Sequence, residues 1–342
     1  MTSRERVQRT LQFKNPDRVP RDVWALPGVT EGRADEFQAH LKRFPTDFGG
    51  VRWKPGQTGR EKGTAYKKGS YTDFWGATFA AGEDGVYGEI KDPLLADWKD
   101  LAAYSLPWEY LKQADLSEVD ASCRESDRFI AVWTEARPFE RLQFLRGTEN
   151  LFVDLAVGSP ELTILLRRIH EWELTAVEMW SKTAVDAICI SDDWGTQTSL
   201  LISPAMWREI FKPLYQAYCD IARSAGKFVF FHSDGHIAAI YDDLIEIGVH
   251  AINSQLFCMD IEELGRKYRG KITLWGELDR QHIQPFGTPD EVRAAVRRIR
   301  KAFDTGHGGL IAQCEWGKLD PYANIAALYD EWDRPATHGA GS

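Results

Sequence analysis

His232 and Asp234 stand two apart in Lys227–Ile237, KFVFFHSDGHI, where the apolar run Phe228, Val229, Phe230, Phe231 breaks abruptly into polar side chains. Alternate residues of an extended segment share a side, so this imidazole and carboxylate can meet at one ion. With Cys314 or Glu315 from late in the chain they offer N, O and S ligands to zinc, with one position left open for substrate. Asp192-Asp193-Trp194-Gly195 is the second constellation. Neighbouring carboxylates after the apolar run 187–191 suit general acid–base work, one of them held protonated. The plainer reading has Asp192 facing the site while Asp193 orients the loop. Glu135 and Arg137, Asn253 and Gln255, and Glu277 and Asp279 also follow apolar runs. Gathering so many carboxylates raises their mutual repulsion, so a metal, an arginine, raised pKa values or a cationic ligand must compensate. Arg137 and Arg141 are candidate anchors for a substrate carboxylate, with Glu277 beside them. Trp194, Trp275 and Trp316 are candidate walls of an apolar pocket.

These residues need a scaffold that brings strand ends together. From residue 129 the chain alternates short β-branched or aromatic runs with helical stretches. Strands are expected at 129–135, 187–191, 227–231, 251–254, 272–275 and 310–313, with an earlier one at 19–26. Ser203 caps a helix over 204–225, and Thr288-Pro289 opens another. Repeated βα units mean a parallel sheet, and about eight strands favour a closed (β/α)8 TIM barrel with its site at the carboxyl edge. No GxGxxG follows any strand, which removes the main argument for a dinucleotide site. Residues 2–13 read as a helix with Thr2 and Glu5 at capping-box spacing. Residues 54–93 alternate around Glu83-Asp84-Gly85 and read as a hairpin excursion covering one end of the barrel. One domain is expected over 1–335, with a disordered tail over 336–342.

The 342 residues carry a net charge of −9, which argues against nucleic acid or an anionic membrane as partner. Five scattered cysteines without a CxxC indicate reduced thiols and a cytoplasmic setting. No stretch approaches the roughly 18 apolar residues of a membrane span.

Several segments resemble the uroporphyrinogen decarboxylase superfamily: TSRERVQRTLQFKNPDRVP, FLRGTENLFVDL, DDWGTQTSLLISPAMWREIFKPLY, FFHSDGHI, WGELD and NIAALYDEW. The resemblance runs almost end to end and implies a (β/α)8 barrel with its site in the mouth. One branch decarboxylates uroporphyrinogen without a cofactor, using an arginine-rich segment near the N-terminus. Here that region reads DVWALPGVTEGR, and Asp193 replaces the decarboxylases' serine. The other branch moves methyl groups between corrinoid proteins or cobalamin and small acceptors. It holds zinc through a histidine and a cysteine two apart, plus a late cysteine. His232 matches the first, Asp234 stands at the second, and Cys314 or Glu315 stands near the third. The resemblance therefore implies a metal-assisted methyltransferase with zinc and a corrinoid, a small-molecule substrate, a corrinoid-protein partner and a homodimer. A decarboxylase of a carboxylated substrate is the alternative, and a non-catalytic binder of a cation is the third reading.

Overall fold

A computed structural model of the chain describes residues 1–335; the expected tail over 336–342 lies outside the described residues. The strands are β1 (Trp24–Ala25), β2 (Phe48–Gly49), β3 (Gly69–Thr72), β4 (Thr78–Ala81), β5 (Glu89–Ile90), β6 (Phe129–Trp133), β7 (Ala187–Ser191), β8 (Phe228–Ser233), β9 (Ala251–Ser254), β10 (Thr273–Trp275), β11 (Leu310–Ile311) and β12 (Glu315–Trp316). Seven of them form one parallel sheet in the order β2-β6-β7-β8-β9-β10-β11.

The first and last strand segments close it. Trp24 pairs in parallel with Glu315 and Ala25 with Trp316, while Arg21 bridges Ala312. The Asp47 amide then donates to the Arg21 carbonyl at 2.8 Å, carrying the pairing across to β2. With β11 and β12 taken as one interrupted strand, eight strand positions close a (β/α)8 barrel. The seam is held by the buried Asp47 carboxylate, which accepts from Ser3 Oγ (2.7 Å), Arg6 (2.6 Å), Arg18 (2.7 Å) and the Arg21 amide (2.7 Å). Burial alone would raise its pKa; the donors, led by Arg18 and the Arg21 amide, hold it below the ordinary value.

The barrel interior is filled by Phe48, Phe129, Ala187, Cys189, Phe230, Ala251, Trp275 and Ile311, and the helix Ser3–Leu11 plugs its lower end with Val7 and Leu11. That helix starts with the capping box read from Thr2 and Glu5. A second, larger core lies between the strands' outer faces and the surrounding helices. The two cores sort each strand by parity. In β7, Ala187 and Cys189 point in and Ile188 and Ile190 out; in β8, Phe228 and Phe230 point in and Val229 and Phe231 out.

Three local expectations need correcting. The helical stretch expected between the strands 129–135 and 187–191 is not continuous: it includes Thr148–Val157 and Pro160–Ser181, parted because Gly158 takes the left-handed conformation and Ser159-Pro160 restarts the chain. The helix over 204–225 is likewise two, Pro204–Ile210 and Lys212–Ser224, parted at Pro213, which lacks an amide donor. The strand at 310–313 is interrupted and continues in β12. β2 and the helix Pro138–Arg146 had not been anticipated.

The excursion forms an antiparallel three-stranded sheet, β3-β4-β5. The Asp84-Gly85 step lies in the β4–β5 connection, as its sequence suggests.

Candidate functional site

The carboxyl edge of the barrel opens into a cavity of about 740 Å³ lined by Leu26, Tyr66, Tyr71, Asp73, Phe74, Tyr87, Tyr110, Glu135, Arg137, Glu140, Arg141, Phe144, Asp193, His232, Asp234, Arg280 and Glu315. At its base, Asp193, His232 and Asp234 each offer a ligand atom within 4.8 Å of the others. His232 Nε2 lies 3.6 Å from Asp193 Oδ1 and 3.7 Å from Asp234 Oδ1. Asp234 Oδ1 is buried without a hydrogen-bond partner among the described residues.

Parity puts these three together. Asp193 continues the inward series of Ala187 and Cys189, and His232 and Asp234 continue that of Phe228 and Phe230. The turns after the two strands then interlock. The Gly195 amide donates to the Asp234 carbonyl, and the Asp234 amide donates to Asp193 Oδ1 at 2.8 Å. A Cβ on Gly195 would sit 2.3 Å from the His236 nitrogen, and one on Gly235 (φ +79°) 2.2 Å from the Gly195 carbonyl. Only glycine permits that approach.

The tautomer of His232 follows from its neighbours. Asn253 Nδ2 donates to the Trp275 carbonyl and to Gln313 Oε1 (3.1 Å), so its amide oxygen is fixed facing His232 Nδ1 at 2.6 Å. Nδ1 must carry a proton, which leaves Nε2 facing the two carboxylates. Beneath the ring lie Trp24 (centroid distance 5.3 Å) and Trp133 (6.4 Å), with Trp275 packed on both. Trp24 and Trp275 donate to the buried Asp22 carboxylate. Burial raises Asp22 to about 6 despite those bonds.

Asp192 has the opposite parity. It points outward and accepts from the Phe139 amide (2.9 Å), the Glu140 amide (2.7 Å) and Tyr215 Oη (2.5 Å), capping the helix Pro138–Arg146. Burial raises it to about 7. The plainer reading of the pair is thus inverted: Asp193 faces the mouth and Asp192 sets the geometry behind it. Glu173, raised by burial to about 8, takes the Arg137 amide and Tyr218 Oη, so two buried carboxylates fix residues 137–140.

Besides Asp192, four more expected site residues lie away from the cavity wall. Cys314 is fully buried in the outer core, 3.6 Å from Tyr329 Oη, and burial pushes its thiol up, so it does not face the ligand group. Trp194 stacks on Phe139 and Trp316 on Tyr322, both outside the barrel wall. Trp275 is in the floor and does not line the cavity wall. Parity explains the first three: counting from inward Ile311, residues 312, 314 and 316 turn outward, and Trp194 shares the phase of Ile188 and Ile190.

Glu315 does face the mouth, but it accepts from Arg280 at 2.9 Å and is not in the group with His232. Arg280 also bonds Asp234 and lies 3.8 Å from Glu277. Glu277 is buried with neither oxygen hydrogen-bonded among the described residues, and burial raises it to about 7. Arg141 is paired to Asp73 at 2.7 Å. Arg137 lies 3.9 Å from both Glu135 and Glu140. Burial first, then Asp193, raises Glu140 well above the ordinary carboxylate range.

Sequence reasoning passed over Glu140, Arg280, Trp24 and the tyrosines Tyr66, Tyr71, Tyr87 and Tyr110. Arg280 and Glu140 sit one turn past their strands, where no periodicity marks them. The tyrosines belong to the excursion and the segment after it. Glu135 and Tyr66, both lining the mouth, hold φ of +61°, a strained value that marks sites whose position is imposed by the fold.

The fold matches a solved structure. The chain superposes on a methyltransferase from Methanosarcina mazei with TM-score 0.71 at 14% identity, covering 97% of this chain and 98% of that one. Uroporphyrinogen decarboxylases of Xanthomonas euvesicatoria and Xanthomonas axonopodis are each 25% identical over 162 residues, which is 45% of this chain and 43% of theirs. The aligned part therefore spans less than half the length of these curated relatives. The profile of the uroporphyrinogen decarboxylase (URO-D) family matches residues 137–332, more than half of the chain and the part that carries Asp193, His232 and Asp234. On that match the chain belongs to the uroporphyrinogen decarboxylase family.

Proposed function

We propose that the protein is a metal-assisted methyltransferase acting on a small acceptor, with a corrinoid carrier as the other methyl partner. The carrying observation is the convergence of Asp193, His232 and Asp234, with His232 Nε2 turned toward two carboxylates and Asp234 Oδ1 buried without a partner among the described residues. Three protein ligands with an open side are the habit of catalytic metal sites. The donor set is one nitrogen and two oxygens, harder than a thiolate set, so it suits zinc at reduced affinity or another first-row divalent ion. Once bound, such an ion would supply Lewis acidity, lowering the pKa of an acceptor thiol or hydroxyl.

The chain's own groups do the rest. Asn253 keeps the proton on Nδ1 of His232. Arg280 bridges Asp234 and Glu315 across the mouth. Glu140 lines the cavity 3.9 Å from Arg137 and beside Asp193. Trp24 and Trp275 pack edge to face beside the imidazole, and Trp133, partly exposed, stacks on Trp275.

Nothing in the mouth's donor set selects a corrinoid; the name borne by the Methanosarcina mazei neighbour supports that part of the reading. The six carboxylates lining the mouth argue against uroporphyrinogen, whose many carboxylates they would repel. Among the described residues no helix is long and apolar enough to cross a membrane. A cytoplasmic setting, a corrinoid-protein partner and a homodimer are part of the proposal.

Metal analysis of the purified protein tests it. About one divalent ion per chain, lost in His232→Ala, with methyl transfer from methylcobalamin to a thiol, is the expected result. A protein that takes up no divalent ion at any tested concentration overturns the reading and leaves a cofactor-free decarboxylase or a binder.

A further inference from the structure

The excursion brings aromatic rings over an acidic recess. Tyr66, Tyr71 and Tyr87 line the cavity and touch one another, Tyr66–Tyr87 at 5.3 Å and Tyr71–Tyr87 at 6.3 Å between centroids. Phe74 and Tyr110 stack beside them at 3.9 Å. At its edge the Arg141 guanidinium lies 5.8 Å from the Phe74 ring, 5.6 Å from Phe144 and 4.4 Å from Trp75 behind them.

The charges lining the cavity do not balance. Asp73, Glu135, Glu140, Asp193, Asp234 and Glu315 face Arg137, Arg141 and Arg280. Arg141 is matched by Asp73, Arg280 is shared by Asp234 and Glu315, and Arg137 is shared by Glu135 and Glu140. Counted as ionised, the carboxylates exceed the arginines by three; a divalent ion at the base would offset two, and a cationic ligand would favour the ionised form of Glu140 against its burial. An anion is opposed by this field, and a neutral ligand gains only packing. A small hydrated cation loses too much water against ring faces. An alkylated cation is weakly hydrated and is drawn to both the rings and the carboxylates.

We propose that the mouth binds a small methylated onium group, a quaternary ammonium or sulfonium centre, against Tyr66, Tyr71 and Tyr87 with Glu135 and Glu140 supplying counter-charge. Taking that onium as the methyl source rests on the methyltransferase reading; its binding does not.

The test is calorimetric titration of the full chain, with and without zinc, using three probes of one shape: choline, its uncharged carbon isostere 3,3-dimethylbutan-1-ol, and 3,3-dimethylbutanoate. Choline is expected to bind at least about tenfold more tightly than the alcohol, and the carboxylate more weakly than either. Tyr87→Leu and Glu140→Gln should each weaken choline severalfold while zinc stoichiometry is unchanged. Equal affinity for choline and alcohol, preference for the carboxylate, or no binding of choline overturns the inference. Zinc uptake with no charge preference sinks this proposal alone. Charge preference without metal uptake sinks the methyltransferase reading alone.

Discussion

His232 Nδ1 lies 2.6 Å from Asn253 Oδ1, and Asn253 is itself pinned through its Nδ2 to the Trp275 carbonyl and Gln313. The proton on His232 is therefore positioned from outside the mouth. Asn253→Leu should weaken divalent-metal affinity about 10–100-fold while the far-UV spectrum is retained. Metal affinity equal to that of the natural chain, measured by competition with a chelator, would show that the ring orients itself.

Arg280 competes with any cation for Asp234. Arg280→Gln removes a positive charge from the mouth and frees two carboxylates, so metal should bind several times more tightly. Weaker binding would instead make Arg280 a brace on which the ligand geometry depends. Titration with manganese followed by electron paramagnetic resonance separates the two.

Cys314 belongs to the outer core. Cobalt(II)-loaded protein should lack the near-ultraviolet sulfur-to-cobalt charge-transfer band, and Cys314→Ser should keep the natural metal stoichiometry. The variant should lose about 1–2 kcal/mol of stability from placing a hydroxyl in a tightly packed site. A thiolate band abolished in Cys314→Ser would restore the cysteine as a ligand.

Asp192 accepts two amides and a tyrosine hydroxyl in full burial. Asp192→Ala leaves these donors unpaired and should cost about 2–4 kcal/mol in denaturant unfolding. Its effect on turnover comes through displacement of Glu140 and Arg137, so zinc should still bind. Loss of zinc with stability intact would return Asp192 to the mouth.

Glu173 is raised by burial to about 8 from the ordinary 4.5. The folded state holds this proton more tightly than the unfolded chain does. Its contribution to stability is full below the unfolded pKa, declines as pH rises, and is gone once pH has passed the folded value. Glu173→Gln should flatten the decline in unfolding free energy between about pH 5 and pH 8. An unchanged slope would mean that Glu173 is already ionised when buried.

The barrel was legible because βα alternation and apolar strand cores are properties of short windows. So was the chemistry of His232 and Asp234, whose spacing survives into the fold. Asp192 and Asp193 were confused because adjacent carboxylates look alike until strand phase is fixed. Carrying the inward phase of Cys189 forward by two-residue steps reaches Asp193 and passes over Asp192. The same count separates Glu315 from Cys314 and Trp316. The tyrosine lid and Arg280 were out of reach because each meets the site through a loop, where position depends on long-range packing and leaves no periodic trace.

The seam between β1 and β12 ties the two extremes of the described chain, and the Arg21–Asp333 ion pair spans 312 residues. During vectorial synthesis the nascent polypeptide cannot complete its ring until Trp316 has left the ribosome. Until then the open edges of β1 and β11 stay exposed and ready to pair with other chains. Translation stalled before β11 should yield chaperone-bound species, and a separately made C-terminal piece carrying β11 and β12 should rescue them by docking into the gap.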